Sequence, residues 1–174
     1  MTKKIMRRDR VIGVILLTLI TILTIVLSTM GDAYILIEGE DLKLGQESII
    51  TIRSKNNPRV YAAYDITISF NPEEVQLLEY FKGDTKAVSG DTYSIAITPE
   101  DVANTTGEIT AMYVDMTAGE GEVRLGDDDI ILLRVKAIKA CEKTSFDIEC
   151  NLVDLNDGID SRVKTKGLEL RVSK

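Results

Sequence analysis

The chain has 174 residues, with 21 Lys and Arg, 28 Asp and Glu, and no histidine, which gives a formal net charge of −7. This length suits one targeting segment followed by one domain with a single core. The body of the chain is acidic and should repel phosphate backbones, so we expect no nucleic-acid partner. The absence of histidine removes the usual neutral-pH general base and the commonest metal ligand, which argues against most enzyme classes.

The first feature along the chain is a hydrophobic segment. Residues 11–27 carry no charge, and the first acid after them is Asp32. About twenty helical residues, each rising about 1.5 Å, cross a hydrocarbon core of roughly 30 Å, so a membrane-spanning helix over residues 11–30 is feasible. The cluster of bases in the first ten residues should stay cytoplasmic, which places the rest of the chain outside the membrane.

The same order of charges is also typical of a cleaved secretory signal, with Gly31 and Ala33 at an A-x-A-like processing site. The length of the hydrophobic run favours an anchor, whereas the near absence of a linker after Ala33 favours cleavage. Residues 1–33 are therefore predicted to be a signal-anchor or a signal peptide. Residues 34–174 are then held at the cell surface if the segment stays, or secreted if it is cleaved.

The remainder of the chain has the pattern of half-buried strands. Apolar residues recur with a period near two in short runs, and Gly, Asn, Asp or Pro clusters separate the runs. We predict nine strands, at residues 34–38, 46–54, 60–70, 75–81, 92–98, 108–116, 129–139, 145–154 and 167–172. A single helical turn is predicted at residues 99–103. Such a chain should form two packed antiparallel sheets, because a single sheet could not bury its apolar face.

Two acidic segments are candidates for a metal site. Asp127, Asp128 and Asp129 are consecutive, but carboxylates on an extended chain point alternate ways and cannot all converge on one ion. Residues 154–158 resemble the start of a calcium loop, but the segment is one residue short, and Thr165 stands where a bidentate Glu should close the loop. We interpret both segments as turns and predict no metal site and no cofactor in this chain.

Two further patterns concern covalent modification. Cys141 and Cys150 are an even pair in an oxidising compartment, so a disulfide is permitted by location. A tight hairpin about Lys143 would instead hold Cys150 too far from Cys141, and the sequence leaves both arrangements open. Asn104 begins an N-x-T sequon on a predicted loop, which has meaning only in a host that glycosylates secreted proteins.

The sequence contains no recognisable catalytic group. No Ser, Cys or Thr stands in a nucleophile-elbow context, and nothing selects a pair of acids for glycoside hydrolysis. A sugar-binding platform needs planar aromatics along one strand face; the chain has no Trp, and Tyr61 and Tyr113 are the candidates for outward positions. A carbohydrate-binding or adhesive sandwich is therefore the alternative to a protein-binding module.

Two groups of strand motifs stand out between Tyr34 and the C-terminus. The first is VYAAYDITISFNP at residues 60–72, followed by EEVQLL at 73–78 and KGD at 82–84. The second is GEITAMYV at residues 107–114 with Gly119 after it, then an apolar strand at 130–135 and GLELRV at 167–172. With these strand motifs, which contain no catalytic residue, the chain from Tyr34 to the C-terminus resembles a cohesin domain, the module of cellulosome scaffolds that binds dockerin modules.

The resemblance implies a nine-stranded sandwich of jelly-roll topology, with the dockerin surface on the sheet that contains the third, fifth, sixth and eighth strands. Thr67 is added to the family's contact positions because it shares one side of the third strand with them. The predicted partner-binding residues are Ala63, Asp65, Thr67, Tyr113, Met116 and Gly119. Asp65 matches an acidic contact residue of the family, whereas Ala63 and Met116 depart from the Asn and the acid that are common there.

The resemblance also implies a function. The chain would be a non-enzymatic, extracytoplasmic interaction module that binds a dockerin-bearing protein and helps to assemble polysaccharide-degrading proteins at the cell surface. Polysaccharide would then be reached only indirectly, and any calcium requirement would belong to the dockerin partner rather than to this chain.

Overall fold

The structure is a computed structural model that describes residues 32–88, 94–116, 121–154, 158–160 and 163–174. The described strands are Tyr34–Glu38 (β1), Leu42–Lys43 (β2), Glu47–Lys55 (β3), Asn57–Tyr61 (β4), Ala63–Phe70 (β5), Val75–Lys82 (β6), Lys86–Ala87 (β7), Ala96–Ile97 (β8), Glu108–Val114 (β9), Val123–Gly126 (β10), Asp129–Ala137 (β11), Cys141–Asp154 (β12), Gly158–Ile159 (β13), Lys164–Lys166 (β14) and Leu168–Ser173 (β15). One helix, Glu100–Thr106 (α1), is described with them.

The strands form two large sheets and one small sheet. Sheet A has the order β14-β1-β3-β11-β6, and sheet B has the order β2-β15-β12-β5-β9-β8 with β13 attached to β12. The small sheet has the order β4-β10-β7. The pairings β1 with β14 and β15 with β2 are parallel, and all other described pairings are antiparallel. The domain is an all-β sandwich, as predicted, although the two parallel pairs correct the expectation of purely antiparallel sheets.

The predicted count of nine strands is not confirmed. Fifteen strand segments occur in the described ranges. The six that were not predicted as separate strands are β2, β4, β7, β10, β13 and β14, and most of them are too short to show a hydrophobic period. The predicted strand 60–70 is divided at Ala62, where the chain leaves the small sheet and enters sheet B. The jelly-roll topology stays a prediction.

Some predictions concern residues that the structure does not describe. The proposed spanning segment 11–30 is one of them, and so are Gly119 and three residues of the calcium-loop-like segment, 155–157. Within the described ranges, no helix is long and apolar enough to cross a membrane.

The core is formed by the inward residues of sheets A and B. In β5 the side chains alternate, and Tyr64, Ile66 and Ile68 are buried while their neighbours remain accessible. Ile52 and Leu133 contribute from sheet A and are equally buried. Burial of each large aliphatic side chain contributes about 1.5–3 kcal/mol, so this alternation is what makes the pairing register of each strand costly to change.

The helix α1 protects the exposed edge of sheet A. The Leu77 N–H donates to the side-chain oxygen of Asn104, and the Asn104 amide nitrogen donates to the Leu77 carbonyl, each at 2.8 Å. The side-chain amide therefore takes the place of a neighbouring strand at this point of β6, which lies at the sheet edge. The sequon thus lies in a helix rather than on the predicted loop, and the side-chain amide of Asn104 is already hydrogen-bonded to the backbone of Leu77.

Replacing Asn104 by Ala is expected to lower the free energy of unfolding by about 1–2 kcal/mol, since both backbone groups of Leu77 lose their partner. Amide hydrogen exchange at Leu77 should accelerate more than exchange elsewhere in β6. The matched control is Thr106→Ala, which also destroys the sequon but leaves the Asn104 amide in place. Equal exchange rates at Leu77 in the two variants would contradict this role for Asn104.

Candidate recognition face

Sheet B contains the strands on which the partner surface is predicted. Strands β12, β5, β9 and β8 are adjacent in that order. They correspond to the predicted eighth, third, sixth and fifth strands, so the predicted composition of this sheet is confirmed. Strand β5 is paired on both sides, which means that a partner can approach it only through side chains on the outer face of the sheet.

The outward side chains of these strands form one surface, which we call the recognition face. They alternate with the buried residues of each strand. The recognition face consists of Ala63, Asp65, Thr67, Ser69, Ala96, Glu108, Thr110, Met112, Val114, Asp147, Glu149, Asn151 and Val153. Of the predicted contact residues it includes Ala63, Asp65 and Thr67.

The pairing register arranges the recognition face in four rows that run across the strands. The first row contains Val153, Ala63 and Val114, and the second contains Asn151, Asp65, Met112 and Ala96. The third row contains Glu149, Thr67 and Thr110, and the fourth contains Asp147, Ser69 and Glu108. Neighbours in a row are about 5 Å apart, so each row acts as one local surface. The hydroxyls of Thr67 and Thr110, which lie 3.5 Å apart, illustrate this proximity.

Asp65 lies in the middle of the recognition face. One carboxylate oxygen, Oδ1, is buried and has no hydrogen-bond partner within the described chain. A buried acceptor without a partner costs about 1–3 kcal/mol, but this oxygen is too buried for a donor from another molecule to reach it. The accessible part of the Asp65 side chain faces outward between Asn151 and Met112.

Exposed apolar side chains surround Asp65 on the β9 side. Met112 is 45% exposed and Val114 is 52% exposed, although both stand on a regular strand. Met116, which follows β9, is 87% exposed and extends this apolar area. A group of large apolar side chains on one sheet face is typical of an interaction surface.

The structure corrects the expected exposure of two tyrosines. Tyr113 is only 6% exposed, packs against Tyr64 with ring centroids 5.6 Å apart, and donates its hydroxyl to the Gly121 carbonyl. Tyr61 is completely buried. Tyr113 points inward because it shares the parity of Ile109 and Ala111 in β9, and that alternation was already visible in the sequence. Sequence analysis instead missed Met112 and Val114, whose positions alternate with the inward residues.

The two cysteines do not form a disulfide. Both are free thiols. They lie on the same strand, β12, nine residues apart, and an extended chain of that length spans about 30 Å. The alternative that a hairpin turns at Lys143 is wrong as well, because β12 continues through that residue from Cys141 to Asp154.

Cys150 lies in β12 opposite Ile66, beside the strand that carries Asp65. Burial raises the pKa of the Cys150 thiol to about 12, and the nearby Asp65 carboxylate acts in the same direction, because both disfavour the thiolate. The thiolate is the reactive form, so Cys150 should react slowly with Ellman's reagent at pH 8 in the folded protein and rapidly in denaturant.

The same shift predicts that stability falls at high pH. An unfolded cysteine ionises near pH 9, whereas folded Cys150 holds its proton to about pH 12. Stability is therefore fully present below pH 9 and declines as the pH rises toward 12. A Cys150→Ala variant should show a smaller decline in the urea midpoint over this range. A wild-type and variant pair with parallel pH profiles would contradict the assignment.

The consecutive acids are engaged in contacts within the protein. Asp127 accepts a hydrogen bond from the Asn56 backbone N–H at 2.6 Å, and Asp129 pairs with Arg53 at 2.6 Å. The described residues contain no group of three or more Cys, Asp or Glu side chains arranged to hold a metal ion.

Comparison with solved structures identifies the fold. A non-cellulosomal cohesin from Archaeoglobus fulgidus superposes with a TM-score of 0.63 at 10% identity, over 83% of this chain and 93% of that chain. The domain has the cohesin fold. The third cohesin of ScaC from Acetivibrio cellulolyticus, solved in complex with the ScaB dockerin, has a TM-score of 0.65 at 12% identity over 82% of this chain and 99% of that chain.

A further cohesin-fold match is the Clostridium thermocellum Coh-OlpC–Doc435 complex, with a TM-score of 0.62 at 15% identity, over 81% of this chain and 94% of that chain. No family model matches the chain, and no curated protein is similar to it in sequence. The resemblance to cohesins that the sequence motifs suggested is thus found in the three-dimensional structure, at sequence identities that establish the fold alone.

Proposed function

We propose that this chain is a non-enzymatic interaction module that binds a dockerin-bearing protein through the recognition face. The observation that carries the proposal is the exposed apolar group of Met112, Val114 and Met116, which lies beside Asp65 on the outer face of sheet B. Apolar side chains that are held open on a regular sheet gain free energy when a partner covers them. Two of the cohesin-fold structures compared above contain a bound dockerin, which supports the same class of partner.

The position of the chain in the cell is part of the proposal. We infer from the basic cluster and the hydrophobic residues 11–30 that the domain lies outside the membrane, either anchored at the cell surface or secreted. Assembly of polysaccharide-degrading proteins is the role that the cohesin resemblance implies. The chain itself would need no cofactor, because the calcium in such a complex would belong to the dockerin.

A capture experiment tests the proposal. The full chain, kept in mild detergent, is immobilised and exposed to a panel of purified dockerin modules that includes the host's own and those named above. We expect at least one to bind in the presence of calcium and to be released by EDTA. A double variant that combines Asp65→Ala with Met112→Asp should lose this binding. The control variant Glu47→Lys alters the outer face of sheet A and should retain it.

Two results would overturn the proposal. If the double variant at Asp65 and Met112 still binds a dockerin, the partner binds elsewhere on the domain. Failure of every dockerin, with retention of the chain on an insoluble polysaccharide, would support the carbohydrate-binding alternative. The described recognition face is poorly suited to sugars, because Tyr61 and Tyr113 are buried and it carries no aromatic side chain.

A further inference from the structure

The recognition face has an acidic end. Its third and fourth rows contain Glu149, Asp147 and Glu108, all of them exposed. Glu108 and Glu149 make no salt bridge with any described residue. None of the thirteen residues of the recognition face is basic. Two bases on strands β12 and β15, Lys143 and Arg171, are paired with Glu169 and Glu142. Lys166 lines a pocket together with Asp147, so the acids that lie away from this base are Glu149 and Glu108.

The opposite end of the recognition face is apolar. Its first row contains Val153, Ala63 and Val114 and no polar side chain. Ile159 of β13 lies next to Val153 in the same row and is 68% exposed. The row therefore presents aliphatic carbon across four neighbouring strands, β13, β12, β5 and β9.

The two ends are separated by a definite distance. Ala63 and Ser69 mark the first and fourth rows on β5 and are six residues apart. Six residues of extended strand span about 20 Å. This separation is about twice the roughly 10 Å Debye length at 0.1 M salt, so a charge bound at one end is largely screened from the other.

From this division we infer the chemistry and the orientation of the partner, on the basis of the proposed function. The partner surface carries lysine or arginine side chains over Glu149 and Glu108 and an apolar side chain over Val114 and Ala63. The row of Glu149 lies about 13 Å from the apolar row, and the row of Glu108 lies about 20 Å from it. Burying a carboxylate under a partner costs free energy unless a base of the partner pairs with it. The partner therefore cannot place an apolar group over the acidic end of the recognition face. The apolar row likewise offers nothing to a charged group, so the partner binds in one direction along the strands.

A second copy of this chain does not fit the same requirement. The recognition face of another copy offers no base for Glu149, Asp147 or Glu108. Packed against itself, it would leave these carboxylates unpaired or facing one another. Pairing of two recognition faces is therefore unfavourable, and the occupant that we infer is a different protein with a basic group and an apolar group, arranged as described.

A display selection tests this inference without knowledge of the natural partner. The full chain in detergent is used to select from a library of small three-helix scaffolds with one randomised face. We expect enriched clones to carry Lys or Arg at one end of that face and an aliphatic residue at the other. The variant Glu108→Lys with Glu149→Lys should weaken their binding roughly tenfold or more at low salt and reduce its salt dependence. Val114→Asp should weaken binding roughly tenfold while leaving the salt dependence unchanged.

The controls separate a local effect from a change in net charge. The variant Glu47→Lys with Glu73→Lys makes the same change in charge at two exposed positions outside the recognition face and should bind as the wild type does. A clone in which the basic group is replaced by Glu should recover binding to the Glu108 and Glu149 variant. The inference is overturned if no clone binds the recognition face, if clones show no charge division, or if both pairs of variants weaken binding equally.

The outcomes also distinguish this inference from the proposed function. If the selected clones carry a basic end and an apolar end as expected but no dockerin binds, the inference stands and the dockerin proposal fails. If a dockerin binds but its affinity does not respond to Glu108 and Glu149, the proposed function stands and the inferred orientation is wrong.

Discussion

Replacing Gly83 by Ala is expected to destabilise the domain by about 3 kcal/mol or more, because a Cβ at this position would overlap backbone atoms that cannot move aside. An ideal Cβ would lie 1.9 Å from the Asp129 carbonyl oxygen and 2.9 Å from the Ile130 nitrogen. The Gly83 N–H also donates to the Ile130 carbonyl at 3.0 Å, so the two segments are held in contact. Equilibrium urea unfolding, followed by circular dichroism, measures the change.

Gly45→Ala is the matched control for this prediction. Gly45 has a φ of 81°, but nothing lies within 4 Å of an added Cβ. Only the cost of a left-handed conformation remains there, about 1–2 kcal/mol. If both alanine variants lose the same stability, the close approach of Gly83 to Asp129 is not what requires a glycine.

The second large effect is expected at Asp160, whose side chain is fully buried beside β4. Its carboxylate forms an ion pair with Arg59 and lies 3.1 Å from the Tyr61 hydroxyl, which is also 2.9 Å from the Asn57 side-chain oxygen. Removing one partner of a buried ion pair leaves the other charge uncompensated. We expect Asp160→Ala to lower the free energy of unfolding by about 3 kcal/mol, since Arg59 is one-third exposed and recovers part of its hydration.

Two comparison variants make this prediction specific. Asp160→Asn keeps the shape and one acceptor, so it should lose less stability than Asp160→Ala. Glu169→Gln removes an ion pair with Lys143 in which both side chains are exposed, and it should leave the urea midpoint almost unchanged. An Asp160→Ala variant as stable as Glu169→Gln would show that the buried pair contributes no net stability.

The Gly83 contact and the Asp160 ion pair show why local sequence patterns do not predict which residues matter most for stability. Gly83 meets Asp129, and Arg59 meets Asp160, across long separations in the chain. In the sequence, Gly83 is one of several turn glycines and Asp160 one of many acids. Their importance arises from packing between segments, which no periodicity reports.

The arrangement of the two cysteines is a second feature that local sequence patterns do not predict. The hypothesis of a tight hairpin at Lys143 depended on where one strand ended and the next began. Element boundaries are the least certain part of such an interpretation, since the ends of strands depend on pairing with distant segments. Here Cys141 pairs opposite Val172 and Cys150 opposite Ile66, at different places along one long strand.

What the sequence determined by itself is the fold class and the inner side of its clearest strands. The alternation of Ile66, Ile68 and Phe70 with polar residues predicts the buried side of β5, and it predicts that Asp65 and Thr67 share the outer side. The hydrophobic effect drives apolar residues to the inner side of the strand, and hydrophobicity is a property that each side chain has in the sequence alone. The motifs of the same strands also sufficed to suggest the cohesin resemblance.

Only the tertiary structure decided which side chains lie together on the recognition face. Strand periodicity assigns a residue to one of two faces, but the neighbour across a strand pair depends on register, which the whole set of buried contacts determines. The register places Met112 beside Asp65 and Glu149 beside Thr67. The division into an acidic and an apolar end is therefore a property of the assembled sheet, because its members come from separate strands.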